Sequence, residues 1–170
     1  GRVAREATLP GMSEYLRVRD YREQQLLKLP NVEIFRESRL TARDVFDIAP
    51  DHVAIATGAD WRRDRFDGKT HVPVARDGAS ILTPDDIMEG RLPDGPVMVF
   101  DQDNYYLAGV VAERLRAAGL EVTYVTQSDS VSEWAGNTSE RWRIRTRLME
   151  EGIAIVTAHA LTGFDGQTAT

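Results

Sequence analysis

Two carboxylates, Asp101 and Asp103, stand where an apolar run gives way to a helical pattern, in Asp101-Gln102-Asp103-Asn104-Tyr105-Tyr106-Leu107-Ala108-Gly109. The junction between a buried parallel strand and a helix is where backbone N–H groups and the helix dipole attract phosphate. A turn that holds a pyrophosphate needs glycines, because only then can the backbone approach the phosphates. Here Asp101 and Asp103 hold the first glycine positions, and only Ala108-Gly109 remains further along. The loop is also longer than a G-x-G-x-x-G turn. Its two acids already occupy the anion-favouring end of the helix. A pyrophosphate would meet like charge and bulky side chains. Nor does the next strand end in a ribose-binding acid, since Val125 is followed by Thr126-Gln127. The residues point to a nucleotide-binding fold that has lost its nucleotide site. A working NAD(P) site with an unusual loop would need a set of phosphate donors that the sequence does not contain.

Other chemistries fare worse. An acidic pocket that binds magnesium and accepts a phosphoryl group also needs an aspartate after a later strand and a lysine after another. The strand ending at Val125 leads into Thr126-Gln127, the one at 153–156 leads into Thr157-Ala158, and no lysine follows Lys69. His52, His71 and His159 are far apart and form no H-x-x-x-H ligand pair. Asp85 and Asp86 are explained as first-turn helix acids. Ser128, Ser130 and Ser132 lie in a polar loop without the G-x-S-x-G context of a nucleophile. Arg141, Arg143, Arg145 and Arg147 alternate along a helix and fan around it, which suits contact with a neighbouring domain. Trp134 and Trp142 flank that helix start and are expected to pack on neighbouring domains or on the sheet. The absence of cysteine removes disulfides, thiolate metal sites and thiol nucleophiles from this chain. No catalytic and no metal-binding residue is expected.

The elements that must position this loop follow from the apolar periodicity. The 170 residues suit one domain or slightly more, and 42% hydrophobic residues suffice for a core. A net charge of -6 argues against nucleic-acid and anionic-membrane partners. No apolar run approaches the roughly 18 residues of a membrane helix, and no signal peptide is present, so a cytoplasmic location is expected. Because Gly1 stands in place of an initiator Met, the chain is expected to be a piece of a longer protein or a processed product. A helix capped by Ser13 should run to Pro30, followed by a short strand Val32–Phe35 and a capped helix opening at Thr41-Ala42-Arg43-Asp44. The run 51–58 reads as a strand stopped by Gly58, and residues 59–80 as irregular chain with a short strand near Val72–Val74. Thr83-Pro84-Asp85-Asp86 opens a helix that Gly90 ends. Strands at 97–100, 121–125 and 153–156, with helices at about 105–118 and 139–150 between them, predict a parallel sheet with right-handed crossovers. Residues 163–170 carry little structural signal.

Several of these stretches are familiar. Val53-Ala54-Ile55-Ala56-Thr57-Gly58-Ala59 resembles the "ATGA" strand of two-dinucleotide flavoproteins related to glutathione reductase. Gly1-Arg2-Val3 resembles the tail of the "GG-[RQK]-[VLF]" segment of the same group. Leu9-Pro10-Gly11, Leu82-Thr83-Pro84-Asp85-Asp86 and Val99-Phe100-Asp101 to Gly109 resemble the trimethylamine dehydrogenase family, which includes dimethylamine and histamine dehydrogenases and related demethylases. The resemblance covers nearly the whole chain. It implies an α/β fold of the FAD/NAD(P)-binding, glutathione-reductase-like Rossmann type. Residues 1–59 would be the rear part of an FAD/ADP-binding-like domain, 60–95 a connection, and 96–170 a degenerate NAD(P)-binding-like domain.

It further implies a parent that oxidises amines on an upstream barrel carrying FMN and an iron–sulfur cluster. ADP or FAD would sit in the first nucleotide domain, and the parent would be a homo-oligomer. The upstream barrel and nucleotide domain would then be this chain's partners. By the family pattern Gly1, Arg2 and Val3 border the pyrophosphate and ribose, Arg39 and Leu40 present backbone to adenine, and Thr57 and Gly58 pass close to the phosphates. No cofactor is expected on this chain alone, and its role is expected to be structural. The alternative is a functional NAD(P)H-binding domain of a pyridine-nucleotide-linked flavin reductase.

Overall fold

A computed structural model describes residues 1–62 and 81–170. His71, Lys69 and the expected strand at Val72–Val74 lie outside the described residues. The chain opens with a short helix, α1 (Arg2–Glu6), then a 3-10 turn (Ser13–Tyr15) that leads into α2 (Leu16–Leu26). α3 (Ala42–Ile48) and α4 (Pro84–Met88) follow. The remainder alternates: β1 (Val97–Asp101), α5 (Leu107–Ala117), β2 (Val122–Thr126), a 3-10 turn (Glu133–Thr138), α6 (Arg141–Glu150) and β3 (Ala154–Val156). The sheet is parallel in the order β1-β2-β3, with Val97 opposite Val122 and Thr123 opposite Ala154. An α/β fold with a small parallel sheet was therefore readable from the apolar runs.

Local chemistry sets most of the boundaries. Thr83 and Asp86 form a reciprocal capping box: the Asp86 carboxylate accepts from the Thr83 N–H (2.8 Å) and hydroxyl (2.9 Å). Pro84 sits in the first turn, where its missing N–H leaves no bond unmade. Arg91 approaches the other Asp86 oxygen at 2.6 Å, so this buried acid is neutralised as well as hydrogen-bonded. Thr41 and Asp44 repeat the box on α3, where the two hydrogen bonds from Thr41 hold the Asp44 carboxyl below the usual carboxylate range. α5 and α6 end as expected at Gly119 and Gly152, whose φ of 90° and 72° suit glycine. Beyond them Leu120 reaches back to the Leu115 carbonyl and Ile153 to that of Leu148. Replacing Thr83 with alanine removes the box at a buried site. It is expected to lower stability by about 1–2 kcal/mol, read from the urea-unfolding midpoint, with serine recovering most of the loss.

Leu9, Met12 and Ile87 join Leu107, Val111, Leu115, Val122, Tyr124, Leu148 and Ile153 in one core, so the turn after α1 and the helix α4 both pack with α5 and the sheet. Two expected strands differ. Neither 32–35 nor 51–58 forms a strand, because a strand exists only where a neighbour completes its hydrogen-bond ladder, and no described segment lies alongside. Their apolar side chains are correspondingly open to solvent, Phe35 and Ile55 among them. Ser13 opens the 3-10 turn without capping it by its side chain. Trp134 and Trp142 are exposed rather than packed on the sheet. No helix among the described residues is long and apolar enough to cross a membrane.

Candidate functional site

The loop from β1 to α5 meets the ends of β2 and β3 at the edge of the sheet where a nucleotide-binding α/β fold receives its ligand. Asp101 is the last residue of β1 and is 2% exposed. Its Oδ1 accepts from the Asn104 N–H at 2.8 Å, and its Oδ2 accepts a short hydrogen bond from the Tyr124 hydroxyl. Tyr124 reaches it from β2 with its side chain fully buried, and its oxygen accepts in turn from the Ser132 N–H at 3.3 Å. Burial raises the Asp101 carboxyl above the usual range, against the lowering effect of the bonds from Tyr124 and Asn104. Burial and the Asp101 charge together push the Tyr124 hydroxyl far above its ordinary value.

Asn104 is the second centre of the network. Its φ of 57° is left-handed, a conformation asparagine tolerates better than most residues. That twist lets one side chain serve three partners. Its amide donates to the Gln102 carbonyl at 3.1 Å, and its Oδ1 accepts from Ser128 Oγ at 2.6 Å and Thr126 Oγ1 at 3.3 Å. Its own carbonyl accepts from the Trp134 N–H at 2.9 Å. The ends of β2 and β3 are then tied together, Ala158 N–H to the Ser128 carbonyl and His159 N–H to the Thr126 carbonyl. Asp103 is exposed and accepts from the Tyr105 N–H, and partial desolvation with the nearby Glu6 raises its carboxyl. Tyr106 donates to Glu6 at 2.8 Å and stacks on Tyr15, which closes the mouth of the loop from the side of α1.

The polar groups of this network are committed to one another. Both oxygens of Asp101 accept from protein donors, and the N–H of Asn104 points at Asp101 rather than outward. Ser128 donates to the Asn104 Oδ1, and Ser132 is buried. No group of three or more His, Asp or Glu side chains among the described residues could hold a metal ion. Asp85 and Asp86 serve structure, as expected. Asp86 caps α4, while Asp85 lies 3.3 Å from Arg5 and 3.6 Å from Arg2.

Of the residues expected to border a nucleotide, the structure brings Arg2 to the segment 57–59: its Nη2 donates to the Ala59 carbonyl at 2.6 Å. The same guanidinium lies over the Trp61 ring and within ion-pair reach of Glu6 and Asp85. Gly58 has a φ of 81°, which favours glycine, yet a Cβ there or on Gly1 would meet nothing within 4 Å. Val3, Leu40 and Thr57 are exposed, and Arg39 lies with Leu40 on an exposed stretch. Sequence reasoning missed Tyr124, Thr126 and Asn104 as one unit. The one available signal was a tyrosine inside an otherwise aliphatic strand, whose hydroxyl must find a partner when buried.

A family model described as "OYE-like second alpha/beta domain" matches residues 82–165, from just before α4 to beyond β3. Dimethylamine dehydrogenase from Hyphomicrobium sp. (strain x) is 38% identical over 135 residues, 74% of this chain and 18% of that protein. The structure of histamine dehydrogenase from Rhizobium sp. 4-9 superposes with a TM-score of 0.92 and 42% identity over 99% of the chain. The chain belongs to the trimethylamine dehydrogenase-like family. Another solved relative, 6-hydroxypseudooxynicotine amine oxidase from Pseudomonas geniculata N1, matches with a TM-score of 0.93 and 43% identity. A 2-naphthoyl-CoA reductase shares the fold at a TM-score of 0.74 and 20% identity. This trimethylamine dehydrogenase-like chain spans 27% and 26% of the first two solved structures and 18% of dimethylamine dehydrogenase.

Proposed function

We propose that this chain is the nucleotide-fold region of an FMN- and iron–sulfur-dependent amine dehydrogenase or demethylase, and that its part in that enzyme is structural. The carrying observation is the strand-end network: Asp101, Asn104, Tyr124, Thr126 and Ser128 fill with mutual hydrogen bonds the place where a nicotinamide nucleotide would lay its phosphates. The similarity to dimethylamine and histamine dehydrogenases supports the reaction class. FMN and the cluster belong on this reading to an upstream barrel, since a chain without cysteine offers no thiolates for a cluster. Those groups would supply the electron chemistry, and the chain would supply packing against them. A glutathione-reductase-like FAD/NAD(P) ancestry, the division at about residues 59 and 96, a cytoplasmic location and homo-oligomers belong to the same proposal.

Gly1, Arg2, Val3, Arg39, Leu40, Thr57 and Gly58 do not by themselves fit a phosphate group. Arg2 is engaged by Ala59 and Asp85, and the two glycines back onto open space. On this proposal they border an ADP or FAD only with a phosphate loop from elsewhere in the parent. The test is calorimetric titration of the purified chain, its fold checked by circular dichroism, with ADP, NADH and NADPH in parallel. No heat with either nicotinamide cofactor is expected. Micromolar binding of NADPH would overturn the structural role and turn the reading toward a pyridine-nucleotide-linked flavin reductase.

A further inference from the structure

α1 has five residues, no side-chain cap and no buried residue of its own. A helix that short does not persist alone in water. What holds it is the set of polar side chains that it sends to later parts of the chain. Arg2 donates to the Ala59 carbonyl at 2.6 Å, and Arg5 lies 3.3 Å from Asp85 and 3.4 Å from Glu89 at the end of α4. Glu6 accepts from the Tyr106 hydroxyl at 2.8 Å, across 100 residues of chain. The turn that follows sinks Leu9 and Met12 into the core with α5. Tyr15 then stacks on the same Tyr106 ring, with centroids 6.3 Å apart.

Tyr106 is where these contacts reach the strand ends. It is the N-cap residue of α5, and its carbonyl accepts from the Val110 N–H at 3.2 Å. Two residues before it, the Asn104 N–H bonds to Asp101. The loop is therefore gripped twice, from inside by Asp101 and Tyr124 and from outside by Glu6. The Glu6 side chain is only 13% exposed, and Arg2 stands 3.9 Å from its other oxygen, too far for a hydrogen bond. The Tyr106 hydroxyl thus carries much of the compensation for taking this carboxylate out of water. Burial and the Glu6 charge push that hydroxyl above its ordinary value, which keeps it a donor. Glu6 and Asp103 repel each other across the mouth of the loop. Without the tyrosine bond, that repulsion favours separation of the two sides.

We propose that Glu6 and Tyr106 form a latch that couples α1 to the β1–α5 loop, so that the two loosen and tighten as one unit. Displacement of α1, and with it of Arg2 and the segment it holds at Ala59, then reaches Asp101 through Tyr106. The coupling rests on contacts within the chain and not on the reaction or cofactors of the whole enzyme. Hydrogen–deuterium exchange of the full-length protein that carries this sequence tests it, read in peptides covering 3–9 and 104–110. Tyr106→Phe should speed exchange about three- to tenfold in 3–9, where nothing was substituted, and Glu6→Ala should do the same in 104–110. The double variant should exceed neither single variant, since both break one bond. Glu6→Gln, whose amide oxygen still accepts from the tyrosine, should stay near wild type. β3 should be unchanged in all four variants. Effects confined to the substituted side would overturn the proposal, because each element would then be held by its own anchors. Effects that add in the double variant, a glutamine as damaging as alanine, or equal loosening of β3 would overturn it as well.

Discussion

Replacing Asp101 with alanine is expected to destabilise the fold by about 2–5 kcal/mol, since it orphans two buried donors at once. The Tyr124 hydroxyl and the Asn104 N–H both bond to this carboxylate, and both residues are buried. Each unmade bond at such a site costs about 1–3 kcal/mol. The damage should spread, because Asn104 keeps its left-handed turn while gripping Thr126 and Ser128. Asp101→Asn is the discriminating control. Its amide oxygen can still accept from the Asn104 N–H, but its NH₂ offers the Tyr124 O–H no acceptor, so only about half of the loss should be recovered.

The pair also carries a pH signature. Burial raises the Asp101 carboxyl in the folded state, despite the bonds from Tyr124 and Asn104. A carboxyl raised on folding contributes stability that is fully present below its unfolded value, near 3.9, and is lost as pH rises through the folded value. The asparagine variant carries no such dependence at this position. The gap in unfolding free energy between wild type and Asp101→Asn should therefore shift in favour of the variant as pH rises from acid toward neutral. Urea titrations across that range read it directly. The opposite slope would mean that the two hydrogen bonds outweigh burial and hold the carboxylate charged.

What the sequence tells about this site depends on distance along the chain. That Asp101 and Asp103 replace glycines at a strand–helix junction is a local fact, legible because the glycine requirement is itself local. The two capping boxes are legible for the same reason, since Thr83 and Asp86, or Thr41 and Asp44, span one helical turn. The partners of Asp101 are another matter. Tyr124 lies 23 residues on and meets it only because β1 and β2 align in a particular register. Nothing in Val122–Thr126 states which partner the tyrosine hydroxyl will find. α1 went unread because its five residues draw support from Asp85 and Glu89, far along the chain, through Arg2 and Arg5. The run at 51–58 misled in the opposite sense. Its composition suits a strand, but a ladder partner is a property of the fold around it, and no described segment provides one.

Gly109→Val should cost about 3 kcal/mol, and the reason bears on how the retained glycine is to be read. In a phosphate-binding turn the later glycine serves close packing of helix on strand. Here a Cβ at Gly109 would meet Ile144 Cγ2 at 3.0 Å, so the glycine is the point where α5 touches α6. Alanine asks Ile144 to give by a few tenths of an ångström, and its better helix propensity, worth roughly 0.5–1 kcal/mol, offsets part of that strain. Valine adds two branches that have no room. Overpacking of this kind costs about 1–3 kcal/mol, and the upper end applies because α6 cannot simply move outward. It is tied to α5 one turn further on by Arg147 and the buried Glu113 at 2.8 Å, and anchored by Leu148 in the core. Ile144→Ala in the same molecule should return at least half of the loss, since it empties the space that valine needs. A denaturant double-mutant cycle measures that coupling. If the two substitutions proved additive, the glycine would owe its place to something other than the α5–α6 contact. Coupling would establish that this remnant of a glycine motif is accounted for by packing alone, so that its survival is no evidence for a surviving nucleotide site.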